Sequence, residues 1–413
     1  MTARRGASLE RNQYVTTAVV FVVFTGFAFV IPFLPLFVRQ LGVEPAQRVA
    51  AWSGLLLGIT PLLAGLMAPV WGRLADRYGQ KPMAVRALVA YVVALLLTAA
   101  VRDVWQLLAL RVAIGLFGGI GPLGLAMATA GCSRAQTGRA VGLIQSAQIL
   151  SAAVGPLTGG LLADLIGIRQ TFVATALACA LALVLLVCFY EEQPRDAAAS
   201  GAAKRRGLFD LLALRYVPAL LVTLFLVNFV GRSFTPILPL QLQGLGVPTQ
   251  RLAGATGTLI ACYAVAAAVS AAGLGRLTRR FSARTLLFAS LMGGALAVAP
   301  MAWAPSYASM LLLAAALGLT SGGALTLCYT IGGLLVPQAV RTTAFGFFSG
   351  AALFGGALSP WVAGELVRFD LHAIYYVDAA LYALLALGLG AALPAVAPSA
   401  ASAPGDAVRT QED

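Results

Sequence analysis

The sequence predicts an all-α membrane protein with twelve transmembrane helices in two pseudo-symmetric six-helix bundles. Three observations predict it: an overwhelmingly apolar composition, twelve apolar runs of spanning length, and an internal repeat that lays one half of the chain over the other. Of 413 residues, 60% are hydrophobic and 10% are charged, and the mean hydropathy of +0.88 lies far above that of water-soluble domains. A hydrocarbon core takes roughly 20 residues of helix to cross. A chain of this length therefore holds about a dozen spans with short loops, and no large soluble domain fits.

Apolar runs between charged breaks place the spans at Tyr14–Val38, Val49–Trp71, Met83–Val101, Trp105–Ala130, Arg139–Ile166 and Thr171–Tyr190, then at Val217–Leu242, Ala253–Leu274, Thr285–Trp303, Ala308–Val336, Thr342–Leu366 and Ile374–Leu393. No A-x-A cleavage site follows the first run, so it reads as a retained helix. The domain division is 1–190 for the first bundle, 191–216 for a linker, 217–393 for the second bundle and 394–413 for a tail. The linker, which begins EEQPRDAAASGAAKRRGLFD, is rich in Ala, Gly and charge and reads as a flexible connector. The Ala-, Pro- and Ser-rich tail reads as disordered.

The repeat runs at an offset of about 204 residues. IPFLPLFVRQLGV (31–43) overlies TPILPLQLQGLGV (235–247) with seven of thirteen positions identical, Pro32 on Pro236 and Pro35 on Pro239 among them. GLIQSAQILSAAVGPLTGG (142–160) overlies GFFSGAALFGGALSPWVAG (346–364), aligning Gly142 with Gly346, Pro156 with Pro360 and Gly160 with Gly364. One residue out of step, GRLADRYGQK (72–81) overlies GRLTRRFSAR (275–284). Halves of six spans each share one orientation, which implies an axis along the membrane normal and a substrate site between the bundles near mid-bilayer.

Charge orients the chain. Of 28 Lys and Arg, twenty fall on the side of the two termini, six (Arg39, Arg48, Arg102, Arg169, Arg251 and Arg368) on the other, and Arg111 and Arg232 inside spans. Basic loops stay in the cytoplasm, so both termini are expected there. The net charge of +13 is this topology signal, which removes the case for a nucleic-acid partner. The five cysteines are scattered through apolar stretches without ligand spacing, so neither a metal site nor a disulfide is expected.

Polar groups inside spans are costly and mark function. Arg111, Asn228, Arg232 and Asp378 stand out, with Gln145 and Gln148 on one face of span 5 and Tyr263 and Tyr329 in spans 8 and 10. Asn228 and Arg232 are one turn apart and share a face of span 7. Asp378, about a turn from the outer boundary, reads equally as a functional acid or as the structural partner of an arginine. Arg111 is expected to face the central cavity or another helix, because its repeat counterpart is Ala315 and packing alone does not require the charge.

At this point the residues resemble the major facilitator superfamily along essentially the whole chain. GRLADRYGQKP, between spans 2 and 3, is similar to that family's G-x-L-a-D-r-x-G-r-k signature and carries over Gly72, Asp76, Arg77, Gly79 and Lys81 as a conformational switch loop. Gln80 departs where a basic residue is usual, and the second copy has Arg279 in place of Asp76. Span 5 resembles the G-x8-G-x3-G-P-x2-G-G signature of the drug/proton antiporter branch through Gly142, Gly155, Pro156, Gly159 and Gly160, with Ser151 standing in for the second glycine. RVAIGLFGG places Arg111 and Gly115 where the family's span 4 has its basic residue and glycine.

The resemblance implies a secondary active transporter: a proton-coupled exporter of amphipathic drug-like compounds, working by alternating access as a monomer in the bacterial inner membrane. Its partners would be the lipid bilayer, a small-molecule substrate and protons, with no cofactor. Spans 1, 4 and 7 contain no carboxylate, so the proton carrier stays open among Asp76, Asp103 and Asp378. The alternative is a facilitator or symporter of a small, anionic metabolite, motivated by Arg111 and Arg232. A sensor without transport lacks an appended signalling domain. An enzyme is not expected, because the single histidine, His372, sits at a span edge and no nucleophile motif occurs.

Overall fold

In the computed structural model, residues 2–130, 132, 134–192, 216–278, 280–336 and 341–392 are described, with the side chains of some helical residues, Asp76 among them, outside that set. Most of the expected linker, the expected tail and Arg279 also lie outside it. Among the described residues there is no strand.

The first half comprises α1 (Thr2–Val30), α2 (Leu34–Gln40), α3 (Ala46–Tyr78), α4 (Gln80–Ala100), α5 (Val104–Phe117), α6 (Ile120–Thr129), α7 (Arg134–Ile166) and α8 (Ile168–Phe189). The second comprises α9 (Val217–Ser233), α10 (Leu238–Gly244), α11 (Leu252–Leu277), α12 (Ala283–Val298), α13 (Tyr307–Ser321), α14 (Ala324–Leu335), α15 (Arg341–Leu366) and α16 (Ala373–Ala392). Among the described residues, nine helical segments are long and apolar enough to cross a membrane unaided, and the bent pair α9 and α10 makes a tenth. The shorter apolar helices α5, continued by α6, and α16 occupy the remaining two places. The twelve-span threading is thereby recovered.

Four of the twelve spans are broken, at repeat-related places. Pro32 and Pro236 interrupt spans 1 and 7, because a proline cannot donate its backbone bond. The chain restarts as two seven-residue helices, each with a proline in its first turn. Spans 4 and 10 break at Gly118–Gly119 and Gly322–Gly323, where the sequence reading expects unbroken helices. Gly119 has φ +110°, a left-handed conformation that glycine adopts without a Cβ penalty. A break in lipid frees carbonyls that must find donors. Trp71 Nε1 donates to Leu116 O (2.7 Å) and Arg86 Nη2 to Gly118 O (3.2 Å), with the Arg86 guanidinium 3.3 Å from the Trp71 ring centroid. In the second half Ser290, the repeat equivalent of Arg86, donates its hydroxyl to Thr320 O.

Each half has its own apolar core. The larger second-half core is built around residues such as Leu224, Leu287 and Tyr375, and the first around Leu34, Leu88 and Phe172. A single buried residue of the opposite half enters each, Ala50 into the second and Ala253 into the first, at repeat-equivalent positions. α1 begins well before Tyr14, since its polar start is held to the end of α8 by Asn12 Nδ2 donating to Glu191 O (2.7 Å), Glu191 N donating to Asn12 Oδ1 (3.0 Å), and an Arg11–Glu191 ion pair at 2.5 Å.

Candidate transport site and gates

The two halves meet extensively along α3 against α15 and α7 against α11. At the end of the molecule away from the termini, these seams are closed by glycines lying on backbone. Gly54 lies on Pro360 O and Gly364 on Ala50 O in one seam, while Gly257 lies on Pro156 O and Gly160 on Ala253 O in the other. A Cβ at any of the four would overlap that carbonyl. The repeat maps one pair onto the other, so the seal has the pseudo-two-fold symmetry of the chain. Arg39 Nη1 donating to Gln243 Oε1 (3.2 Å), 204 residues away, spans the axis itself. Asp164 adds an asymmetric lock, its carboxylate accepting from Gly254 N (2.7 Å) at the start of α11.

Toward the termini the same helices carry glycines with open space beside them. A Cβ at Gly72 on α3, Gly142 on α7, Gly273 on α11 or Gly346 and Gly350 on α15 would meet no described atom within 4 Å. Sealing contacts at one end and open glycines at the other are the asymmetry that a rocking mechanism requires of one of its states.

The antiporter-like motif of span 5 divides between two jobs. Gly155 and Gly159 admit α1, lying against Ala28 and Phe29, whereas Pro156 and Gly160 face α11 of the other half. Ser151, in place of a glycine, is buried and donates to Ala147 O (2.7 Å) and Phe21 O (3.0 Å) while accepting from Thr25 (3.1 Å). Gln145 on the same helix is exposed and Gln148 half-buried.

The signature loop is held within its own half. Gly79 turns the chain at φ +107°. The Glu192 carboxylate accepts from Gln80 N (2.6 Å) and Lys81 N (2.9 Å), and Lys81 Nζ donates to Val187 O (2.9 Å) and Tyr190 O (2.7 Å). The motif reading did not include this contact of Glu192, whose signal was the acidic pair in EEQPR closing span 6. Gln80, at the departure from the signature, contributes its backbone N–H, which any residue except proline supplies. Arg77 and Gly72 are exposed, and the Asp76 side chain lies outside the described residues.

The intramembrane polar residues divide by bundle. On α9, Asn228 and Arg232 share the side facing α15: a Cβ at Gly356 would meet Arg232 Cδ at 3.0 Å and Asn228 Oδ1 at 4.0 Å. Arg232 reaches the surface, and Asn228 Nδ2 turns back to Leu224 O (3.3 Å). Behind them, Asp378 on α16 is fully buried, accepts a hydrogen bond from Ser233, and leaves Oδ1 without a partner among the described residues. The structural arginine partner allowed for Asp378 is not there, since none of the described ion pairs includes it. Tyr263 meets Phe234 edge to face (ring centroids 5.9 Å apart), with its hydroxyl beside Gly231 on α9. Asp103, another candidate acid, is spent as the N-cap of α5, accepting from Trp105 N and Gln106 N (both 2.9 Å). Tyr329 lies in an aromatic group with Phe345 and Phe348. Arg111 is buried inside the first bundle beside Tyr91 and Cys179, facing neighbouring helices and not lipid.

This architecture, two six-helix bundles joined by glycine seams with a charged loop between spans 2 and 3, is matched in known proteins. The profile of the Major Facilitator Superfamily matches residues 16–255 and 249–411. The chain belongs to that superfamily. It is therefore a membrane transporter, not an enzyme. Relatives include the "Multidrug resistance protein MdtG" of Yersinia enterocolitica, 33% identical over 331 residues and 80% of each chain. The protein of the same name from Enterobacter lignolyticus is 31% identical over 389 residues, 93% of this chain and 92% of its own. Among solved structures, a D-xylose-proton symporter superposes with TM-score 0.75 at 15% identity, covering 93% of this chain and 98% of its own. A bacterial homologue of the lysosomal transporter Spinster, in an inward-facing and occupied conformation, superposes with TM-score 0.72 at 17% identity over 92% and 94%.

Proposed function

We propose that this transporter exports amphipathic, drug-like compounds from the cytoplasm in exchange for protons, with both termini cytoplasmic and the substrate bound between the bundles. The observation that carries the reading is its similarity, over nine-tenths of both chains, to a protein named for multidrug resistance. With the termini inside, the sealed end is the outer one, and the conformation is the one that loads from the cytoplasm. Asn228 and Arg232, beside the stacked Phe225 and Phe229 rings 6.2 Å apart, supply polar and apolar contacts on the second-half wall, and Gln145 and Gln148 contribute from α7.

Asp378 is the proton carrier in this reading. It is a fully buried acid with one oxygen unpaired among the described residues, joined to α9 through Ser233, the neighbour of Arg232. An ionisable residue inside a span is a candidate for carrying the coupled ion. Export of a fluorescent cationic dye from cells, and its uptake into inverted vesicles, should collapse with a protonophore. Asp378→Asn should lose proton-driven transport while retaining dye binding. Dye transport indifferent to the protonophore would overturn coupling, and transport confined to small anions would favour the metabolite reading instead.

A further inference from the structure

We propose that Asp164 is a positioning residue for transport: it latches the outer gate while its carboxylate is charged, and a proton arriving from the outer side releases it. In the sealed seam between α7 and α11, this carboxylate reaches across from the first half and accepts from Gly254 N (2.7 Å), in the first turn of α11. The N–H groups at a helix start lack partners within the helix and carry the positive end of its dipole, so a carboxylate there is held by charge as well as by the hydrogen bond. Gly254 makes the approach possible, because a Cβ on it would lie 2.6 Å from Asp164 Oδ2.

The repeat shows that the seal as such does not require this contact. The equivalent positions in the α3–α15 seam hold Arg368 and Ala51, a cation in place of the acid and a methyl group where the acid would need room. Arg368 pairs instead with Glu365 on its own helix (2.9 Å). That seam closes with the same glycine-on-carbonyl contacts, Gly54 on Pro360 O and Gly364 on Ala50 O. The carboxylate is thus an addition to one seam, and what it adds is a contact that titrates.

Asp164 is half-buried, two residues before the end of α7, where protons from the outer side reach it. None of the described ion pairs includes it. On the elements packed against α7, two charged side chains lie at this end. Arg169, at the start of α8, donates Nη1 to Ala99 O (2.7 Å) and sits over Phe37, and Arg251 is exposed in the turn before α11. The charged residues of α1 precede Asn12 and that of α11 is Arg276, all at the opposite end, while α6 has none; Tyr263 is more than two turns further along α11. Protonation turns one carboxylate oxygen into a hydroxyl and removes the charge that the helix start attracts. The open state, in which Asp164 and Gly254 are apart, loses nothing. Acid should therefore shift the equilibrium toward opening at this end by roughly 5–30-fold. Its sidedness rests on the cytoplasmic termini of the proposed function; in that orientation the proton gradient also opens the gate through which the compound leaves.

Spin labels at the exposed Gln47 and Gln250, one in each half at the sealed end, report opening of the purified full-length protein by double electron–electron resonance. In detergent both faces meet the same pH, so the outcome is independent of orientation, which a reporter fused after Asp413 decides separately. As pH falls through the carboxylate range, the longer-distance population should grow by that factor. Asp164→Asn can still accept from Gly254 N but has no charge to lose. It should show the acid distribution at neutral pH and respond little to pH, whereas a purely structural bond would leave it closed. Asp164→Glu should keep pH-dependent opening, and Gly254→Ala, which displaces the carboxylate, should lose it. A wild-type distribution independent of pH, or an Asp164→Asn variant that opens with acid as the wild type does, would overturn the latch.

Discussion

Adding a methyl group at Gly54 and at Gly257 tests the seal between the bundles. Each Cβ would overlap a backbone carbonyl, Pro360 O and Pro156 O respectively, and backbone cannot rotate away as a side chain can. The helices must separate by on the order of 1 Å, and overpacking of that kind costs about 1–3 kcal/mol. The penalty falls only on the sealed state, because rocking takes these positions apart. Each alanine should therefore shift the equilibrium toward opening at this end by roughly 5–150-fold. The two contacts lie in different seams and share no partner, so their effects should add to about 2–6 kcal/mol. Inverting a 99:1 population takes about 5.5 kcal/mol. The double variant should accordingly approach inversion while single variants give mixtures. Spin labels at the exposed, repeat-equivalent Gln47 and Gln250 would report it as a longer distance population by double electron–electron resonance. Gly142→Ala, where a Cβ meets open space, should leave that distribution unchanged. A double variant with the wild-type distribution would refute the assignment of these glycines to the gate.

Glu192→Gln weakens two charge-assisted bonds to the loop after α3, so it should cost about 1.5–3 kcal/mol of local stability; faster amide exchange at Gln80 and Lys81 checks it, and unchanged protection there would count against the clamp. Trp71→Phe keeps the ring against Arg86 but removes the donor to Leu116 O, so stability should fall by about 1–3 kcal/mol for the unpaired buried carbonyl, read as a lower unfolding midpoint. A reporter fused after Asp413 should be active only in the cytoplasm, as the basic asymmetry demands, and periplasmic activity would reverse the assignment of the two faces.

Much of this protein was legible in one dimension. Spanning length, hydropathy and the repeat of IPFLP over TPILP were enough for twelve helices in two like halves, because a bilayer imposes local rules: every span must be apolar, of a set length and internally hydrogen-bonded. The signature loop and the span 5 glycines were recognisable for the same reason, since turning a chain or admitting a neighbouring helix constrains residue type at known spacing. Asn228 and Arg232 could be placed on one face from helical periodicity alone.

What tertiary structure decided were relations between distant residues, for which no local rule exists. The sequence shows Gly54, Pro156, Gly257 and Pro360, yet only the packed bundles reveal which glycine lies on which proline carbonyl and that the seal is closed at one end. Gly118–Gly119 reads as a tolerable pair within an apolar run, and the break there depends on donors from Trp71 and Arg86 on two other helices. Arg111 and Asp378 are equally conspicuous charges in the sequence. Packing gives Asp378 the hydroxyl of Ser233, 145 residues earlier. Arg111 it leaves without a described acceptor beside a small cavity. Both outcomes follow from which side chains converge, and convergence is set by helix contacts that the order of residues along the chain does not contain.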